Sequence, residues 1–171
     1  PIYGAVVVFS AREGVEAQSE TVWRQADRYG VPRIALINKL DREGADFAGT
    51  VGQIEQRLKA QPLVLQIPVG SGPPHVGNPF RGLIDLVAME MLTFPKKEDV
   101  GAGEATLTDV VRSEIPPEMQ DEADEWREKL VTALFDLPGG VAELALAGEP
   151  IPPGLSRPLI AEGHPSRQGV P

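Results

Sequence analysis

Ala5-Val6-Val7-Val8-Phe9 and Ile34-Ala35-Leu36-Ile37, the second followed at once by Asn38-Lys39-Leu40-Asp41, set the fold of this 171-residue chain. Each is an unbroken apolar run, and the first is rich in β-branched residues. That is the pattern of a strand buried on both faces of a parallel sheet, not of one alternating between core and water. Between them, Val15 to Tyr29 carries Val22, Ala26 and Tyr29 at helical spacing with Trp23 alongside, and Gly30 then Pro32 supply a cap and a stop. The spacing predicts a strand, helix, strand unit over residues 5–37, long enough for a crossover between parallel strands, with the first run as a central strand.

Past Asp41 the pattern changes. Phe47, Val51, Ile54 and Leu58 share one face of a short predicted helix with Asp46 or Thr50 near its start. Residues 63–67, 82–87 and 91–94 read as short strands. The turn-rich stretches Gly70-Ser71-Gly72-Pro73-Pro74 and Gly77-Asn78-Pro79 separate the first two, which fits a small antiparallel sheet. Pro116-Pro117 can open a helix, and Met119, Ala123, Trp126, Leu130, Leu134 and Leu137 then form one apolar stripe ending at Pro138-Gly139-Gly140. Opposite it lie Asp121, Asp124, Glu125 and Glu128, flanked by Glu118 and Glu122. Such a run is commonly a solvated face, and a docking surface is the sharper alternative.

Charge is unevenly spread. Residues 1–59 hold eight acids and eight bases, 60–97 two and three, 98–149 fourteen and three, and 150–171 one and two, giving net charges of 0, +1, −11 and +1. One segment therefore carries the whole excess behind the formal charge of −9, as an inserted subdomain would. That balance argues against broad binding to nucleic acid backbones or to anionic membranes. No apolar run reaches the roughly 20 residues that span a bilayer. With no cysteine there is no disulfide or thiol chemistry, and His75 and His164 show no metal-ligand spacing. The start, Pro1-Ile2-Tyr3-Gly4, lacks both an initiator Met and a secretory pattern, so the chain reads as cut at its beginning.

Asn38-Lys39-Leu40-Asp41 carries the chemistry. It follows the second buried run directly, at the strand's carboxyl end, where ligands bind in open α/β sheets. A carboxylate accepts only, and the two oxygens of Asp41 can take the ring N–H and the amino N–H that guanine presents side by side. Adenine offers a lone pair at that ring nitrogen and leaves the charge unpaired, which is the effective kind of discrimination. Lys39 can lay its apolar stem across the base, and Asn38 can reach the base edge and tie neighbouring loops. Asn and Asp are also ordinary residues after a strand.

The run from Gly14 to Asp27, then Tyr29-Gly30-Val31-Pro32-Arg33 and Asn38-Lys39-Leu40-Asp41-Arg42, resembles the guanine-nucleotide domain of bacterial-type elongation factor G. The likeness continues through Gly44-Ala45-Asp46-Phe47, residues 82–87, Ile115 to Gln120 and Glu125 to Leu130. The resemblance implies an α/β fold: part of a parallel sheet of the P-loop GTPase type with an inserted α+β subdomain. Residues 1–45 would be nucleotide-side, 46–150 the insertion, and 151–171 a Pro- and Gly-rich tail leading back toward the domain. It further implies guanine contacts from Asn38, Lys39 and Asp41, GTP or GDP as ligand with Mg2+ in the intact family, and a cytoplasmic, ribosome-bound translation factor. In that family the insertion faces the basic C-terminal domain of the ribosomal stalk protein, which assigns docking to Asp121, Glu125 and Glu128.

Departures accompany the likeness. Tyr3 and Ser10 stand where the family commonly carries other residues, and Pro158, Gly163, Pro165 and Gly169 oppose a helix in the tail. The Gly-x-x-x-x-Gly-Lys-Ser/Thr phosphate loop, both switch motifs and the Ser-Ala motif do not occur where they are expected. They would precede Pro1 or follow Pro171, so the chain is expected to be an internal slice that contains no catalytic residue and hydrolyses no GTP by itself. Two alternatives stay open: a stand-alone acidic module that binds the stalk protein, and an inactive gene fragment.

Overall fold

The computed structural model describes residues 4–94 and 110–135. Along them run β1 (Ala5–Ser10), α1 (Ala17–Arg28), β2 (Arg33–Asn38), α2 (Phe47–Leu58), β3 (Gln66–Val69), β4 (Gly82–Asp85), β5 (Glu90–Thr93), β6 (Val111–Ser113), a 3-10 turn at Pro117–Met119 and α3 (Gln120–Phe135). The strands make a parallel pair, β1–β2, and an antiparallel sheet in the order β3-β4-β5-β6. This is the mixed α/β architecture expected from the sequence. Tyr3, Leu137, His164 and the tail 151–171 lie outside the described residues, as do residues 95–109 and 136–150.

The parallel pair runs in register from Ala5 opposite Arg33 to Ser10 opposite Asn38. Val7 and Phe9 point to the side covered by both helices, where they cluster with Val15, Trp23 and Ile54. The Phe9 and Trp23 rings lie 6.1 Å apart and tilted, a favourable arrangement for aromatic quadrupoles. The Arg33 guanidinium sits 4.2 Å from the Trp23 ring centroid, donates to the Trp23 carbonyl at 2.8 Å and pairs with Asp27. A cation thus covers a face of the buried indole. α1 closes as expected: Val31 N–H donates to the Ala26 carbonyl at 2.9 Å and Gly30 N–H to the Asp27 carbonyl at 3.1 Å, the paired bonds of a Schellman cap.

The helix forms where the spacing predicts, and of its apolar residues the buried one is Trp23, while Val22 and Tyr29 are 48% and 74% exposed. This rotation of the helix buries the indole, the largest apolar surface available, against Phe9. One expectation fails in this part: β1 is not buried on both faces. Val6, Val8, Ile34 and Leu36 are 65%, 52%, 55% and 52% exposed, and among the described residues β1 pairs only with β2. The physical reason is one-sided cover, because Trp23 of α1 and Ile54 of α2 both pack in the cluster of Val7 and Phe9.

α2 begins at Asp46, whose side chain accepts from Gly49 N–H at 2.8 Å; this settles the choice of start between Asp46 and Thr50. The helix joins two cores. Ile54 belongs to the Phe9 cluster, and Phe47 meets Trp126 edge-on at 6.0 Å. In the second core Ile67, Val69, Ile84, Leu86 and Met91 of the antiparallel layer pack with Met119, Ala123, Leu130 and Leu134. Arg127 of α3 donates to the carbonyls of Leu86 and Val87, the latter at 2.6 Å, which fixes the helix over the sheet.

The strand limits shift from those expected. The first antiparallel strand starts at Gln66, and the second stops at Asp85, whose Oδ1 accepts from Val87 N–H at 2.8 Å and Ala88 N–H at 3.0 Å. That carboxylate turns the chain back before the apolar run ends. β6 is not expected from the sequence. Val-Arg-Ser has no apolar period, and it pairs with β5 as an exposed edge where Arg112 meets Glu90.

Candidate functional site

Asn38 is the last residue of β2, and the chain turns sharply there because Lys39 takes a left-handed backbone with φ of 62°. Side chains resist that region, and such residues persist where their surroundings hold them. Here the Asn38 Oδ1 accepts from Lys39 N–H at 2.8 Å, and Arg42 N–H donates to the Lys39 carbonyl at 3.2 Å. The loop after β1 adds two bonds: Ala11 N–H to the Asn38 carbonyl and Asp46 N–H to the Ala11 carbonyl, both 2.8 Å. The carboxyl ends of both parallel strands therefore converge on the motif, as the rule for open α/β sheets requires.

Asn38, Lys39 and Asp41 are placed together at this edge, Lys39 and Asp41 with their charged ends about half or more in solvent. The Lys39 ammonium lies 3.6 Å from the Glu13 carboxylate, and Asp41 Oδ2 lies 3.7 Å from the Arg42 Nε. Glu13 also accepts from the Ser10 hydroxyl. The sequence reading does not single out Glu13, though its place in the loop after β1, at the same sheet edge, is a usable signal. A cavity of about 460 Å³ lies elsewhere, between the β3–β4 loop and α3, lined by residues that include Ser71, Asn78, Met119 and Glu122.

The acidic side chains named from the sequence sit on α3. Asp121, Glu125 and Glu128 are exposed at spacings of four and three residues, and so share a face. Glu125 accepts from Lys129 at 2.7 Å, and that ammonium lies 4.7 Å from the Trp126 ring centroid. Asp124 accepts from Gln120 at 3.1 Å, and Glu118 is 3.8 Å from Arg81. Among the described residues no helix is long and apolar enough to cross a membrane. Nor do three carboxylates or imidazoles converge among them in a way that could hold a metal ion.

Residues 2–134 match the family of the Elongation factor Tu GTP binding domain. Elongation factor G 1 of Geobacter sulfurreducens is 48% identical over 148 residues, which are 86% of this chain and 20% of that protein. A crystal structure of a protein from Thermus thermophilus shares the fold with a TM-score of 0.68, at 23% identity, over 94% of this chain and 22% of that one. The chain thus spans about a fifth of the length of these relatives. The motif at the end of β2 falls inside the matched residues, and so do the antiparallel sheet and nearly all of α3. The chain belongs to the family of the Elongation factor Tu GTP binding domain, and its likeness to an elongation factor G extends over most of its length.

Proposed function

We propose that this chain supplies the guanine-reading part of a ribosome-dependent GTPase that drives translocation of tRNA and messenger RNA. The observation that carries the reading is Asn38-Lys39-Leu40-Asp41 at the carboxyl end of a parallel strand, within the residues that match the family. Asp41 accepts from the ring N–H and the amino group of guanine, the Lys39 stem covers the base, and Asn38 ties the loop. For the base to stack, the Lys39 ammonium keeps Glu13 as its partner while its methylenes face the ring. Residues 1–45 form the nucleotide side in this reading and 46–150 the insertion. The 171 residues contain no Gly-x-x-x-x-Gly-Lys-Ser/Thr loop, so GTP hydrolysis is not expected of the chain alone.

The test is a swap of base preference. Titration of the labelled chain with GMP and XMP, followed by NMR, is expected to favour GMP, and Asp41→Asn is expected to favour XMP because the new amide donates to the added carbonyl. Retention of GMP preference by Asp41→Asn removes Asp41 from this role.

A second activity rests on a separate observation, the exposed face of α3 in a segment whose charges sum to −11. Asp121, Glu125 and Glu128 meet the basic C-terminal domain of the ribosomal stalk protein, a contact that speeds encounter and weakens as salt rises. Charge reversal at Asp121 and Glu125 is expected to slow association with that domain at low salt. Unchanged kinetics in stopped flow count against the contact.

A further inference from the structure

Two hydrogen bonds cross from the β3–β4 loop of the antiparallel sheet to the loop that carries the motif. Gly72 N–H donates to the Leu40 carbonyl at 2.8 Å, and the Ser71 hydroxyl donates to the Ala45 carbonyl at 2.7 Å. The first matters most for chemistry. The Leu40 carbonyl and the Asp41 N–H belong to one planar peptide unit, so fixing that oxygen fixes the plane from which Asp41 departs. The second pins the far end of the same loop, where Ala45 N–H also donates to the Arg42 carbonyl at 3.2 Å.

The donors are themselves held rigidly. Ser71 N–H reaches the Asn78 carbonyl at 2.9 Å, Phe80 N–H the Gly72 carbonyl at 3.0 Å, and Arg81 N–H the Val69 carbonyl at 2.8 Å, which continues the β3–β4 ladder into the loop. Glycine is required on both sides of Ser71. Gly70 has φ of 76° and a Cβ there would stand 2.0 Å from the Pro79 carbonyl oxygen, and Gly72 has φ of 92° with Val76 at 3.2 Å. The sequence Gly-Ser-Gly, legible only as a turn, is thus shaped to hold two donors against another loop.

We infer that Ser71 and Gly72 are positioning residues for guanine recognition, setting the direction of the Asp41 carboxylate from the antiparallel sheet. The inference rests on the guanine reading proposed above. Asp41 is exposed, and apart from the neighbouring Arg42 side chain no ion pair orients it among the described residues. Its aim therefore depends on the backbone, and the backbone is held by these bonds. A carboxylate turned away by a loosened loop keeps one bond to the base and loses the other. Discrimination between guanine and hypoxanthine, which lacks the amino group, then falls along with affinity.

The experiment compares GMP, IMP and AMP titrations of the whole chain by NMR, for the unsubstituted protein, Ser71→Ala, Ser71→Thr and Asp41→Asn. Ser71→Ala is expected to weaken GMP binding about fivefold, the loss of one ordinary hydrogen bond, and to shrink the GMP-to-IMP preference. Ser71→Thr keeps a hydroxyl and is expected to restore both. Affinity and preference unchanged in Ser71→Ala, while Asp41→Asn loses its GMP preference, overturn the inference and leave the guanine reading intact. A lower melting point with GMP, IMP and AMP weakened alike shows a merely structural role and also overturns it. If Asp41→Asn keeps GMP preference, or the unsubstituted chain does not respond to GMP, the guanine reading itself fails.

Discussion

The two sheets are covered differently, and their sequences differ in the same way. In the antiparallel sheet Ile67, Val69, Ile84, Leu86 and Met91 turn toward α3, while residues such as Gln66 and Arg112 stay in solvent. One apolar face meets one helix, and the need for burial is met within the described residues. In the parallel pair Val7 and Phe9 are buried while Val6, Val8, Ile34 and Leu36 stand exposed side by side. A strand apolar at every position is written for cover on two sides, and here it has cover on one. Periodicity thus reports the burial a strand is suited to, whereas the burial it receives depends on which elements are folded against it.

The sharpest way to break that contrast is within β1 itself. Phe9→Ala is expected to cost about 3–5 kcal/mol, because it removes a buried ring from the Trp23 cluster. Urea unfolding followed by Trp23 fluorescence in a Trp126→Phe background reads that core. In the other sheet, Ile84→Ala is expected to cost about 2–5 kcal/mol, since Ile84 is 0% exposed beneath α3. Trp126 fluorescence in a Trp23→Phe background is the matching signal, as each core holds one of the two tryptophans. Val8→Thr is the smallest change, expected to stay within about 0.5 kcal/mol as exposed substitutions do. A loss comparable with that of Phe9→Ala would show the outer face to be covered and erase the difference between the sheets.

Much of the architecture is readable locally. Gly30 and Pro32 mark the end of α1, Asp46 is one of two residues that the sequence offers for the start of α2, and the stripe from Met119 to Leu134 places α3 together with its exposed acids. These signals work because caps and helical stripes are set by residues within a turn or two of one another. The rotation of α1 escapes such reading because Trp23 and Val22 are neighbours in the sequence, and the choice between their faces is made by Phe9, far along the chain. β6 escapes it because three residues without apolar period form a strand only by pairing with β5.

The candidate site divides in the same way. Asn38, Lys39 and Asp41 stand out by residue type and by their place after an apolar run, since the chemistry of a base-reading carboxylate and the end of a strand are both local properties. The pairing of Glu13 with Lys39, which the sequence signals only by the place of Glu13 after β1, and the seating of Ser71 and Gly72 against the motif loop are set by the folded arrangement. Each joins segments about thirty residues apart, and the distance between such segments is decided by how α2 and the two cores pack, a collective balance that no single stretch of residues records.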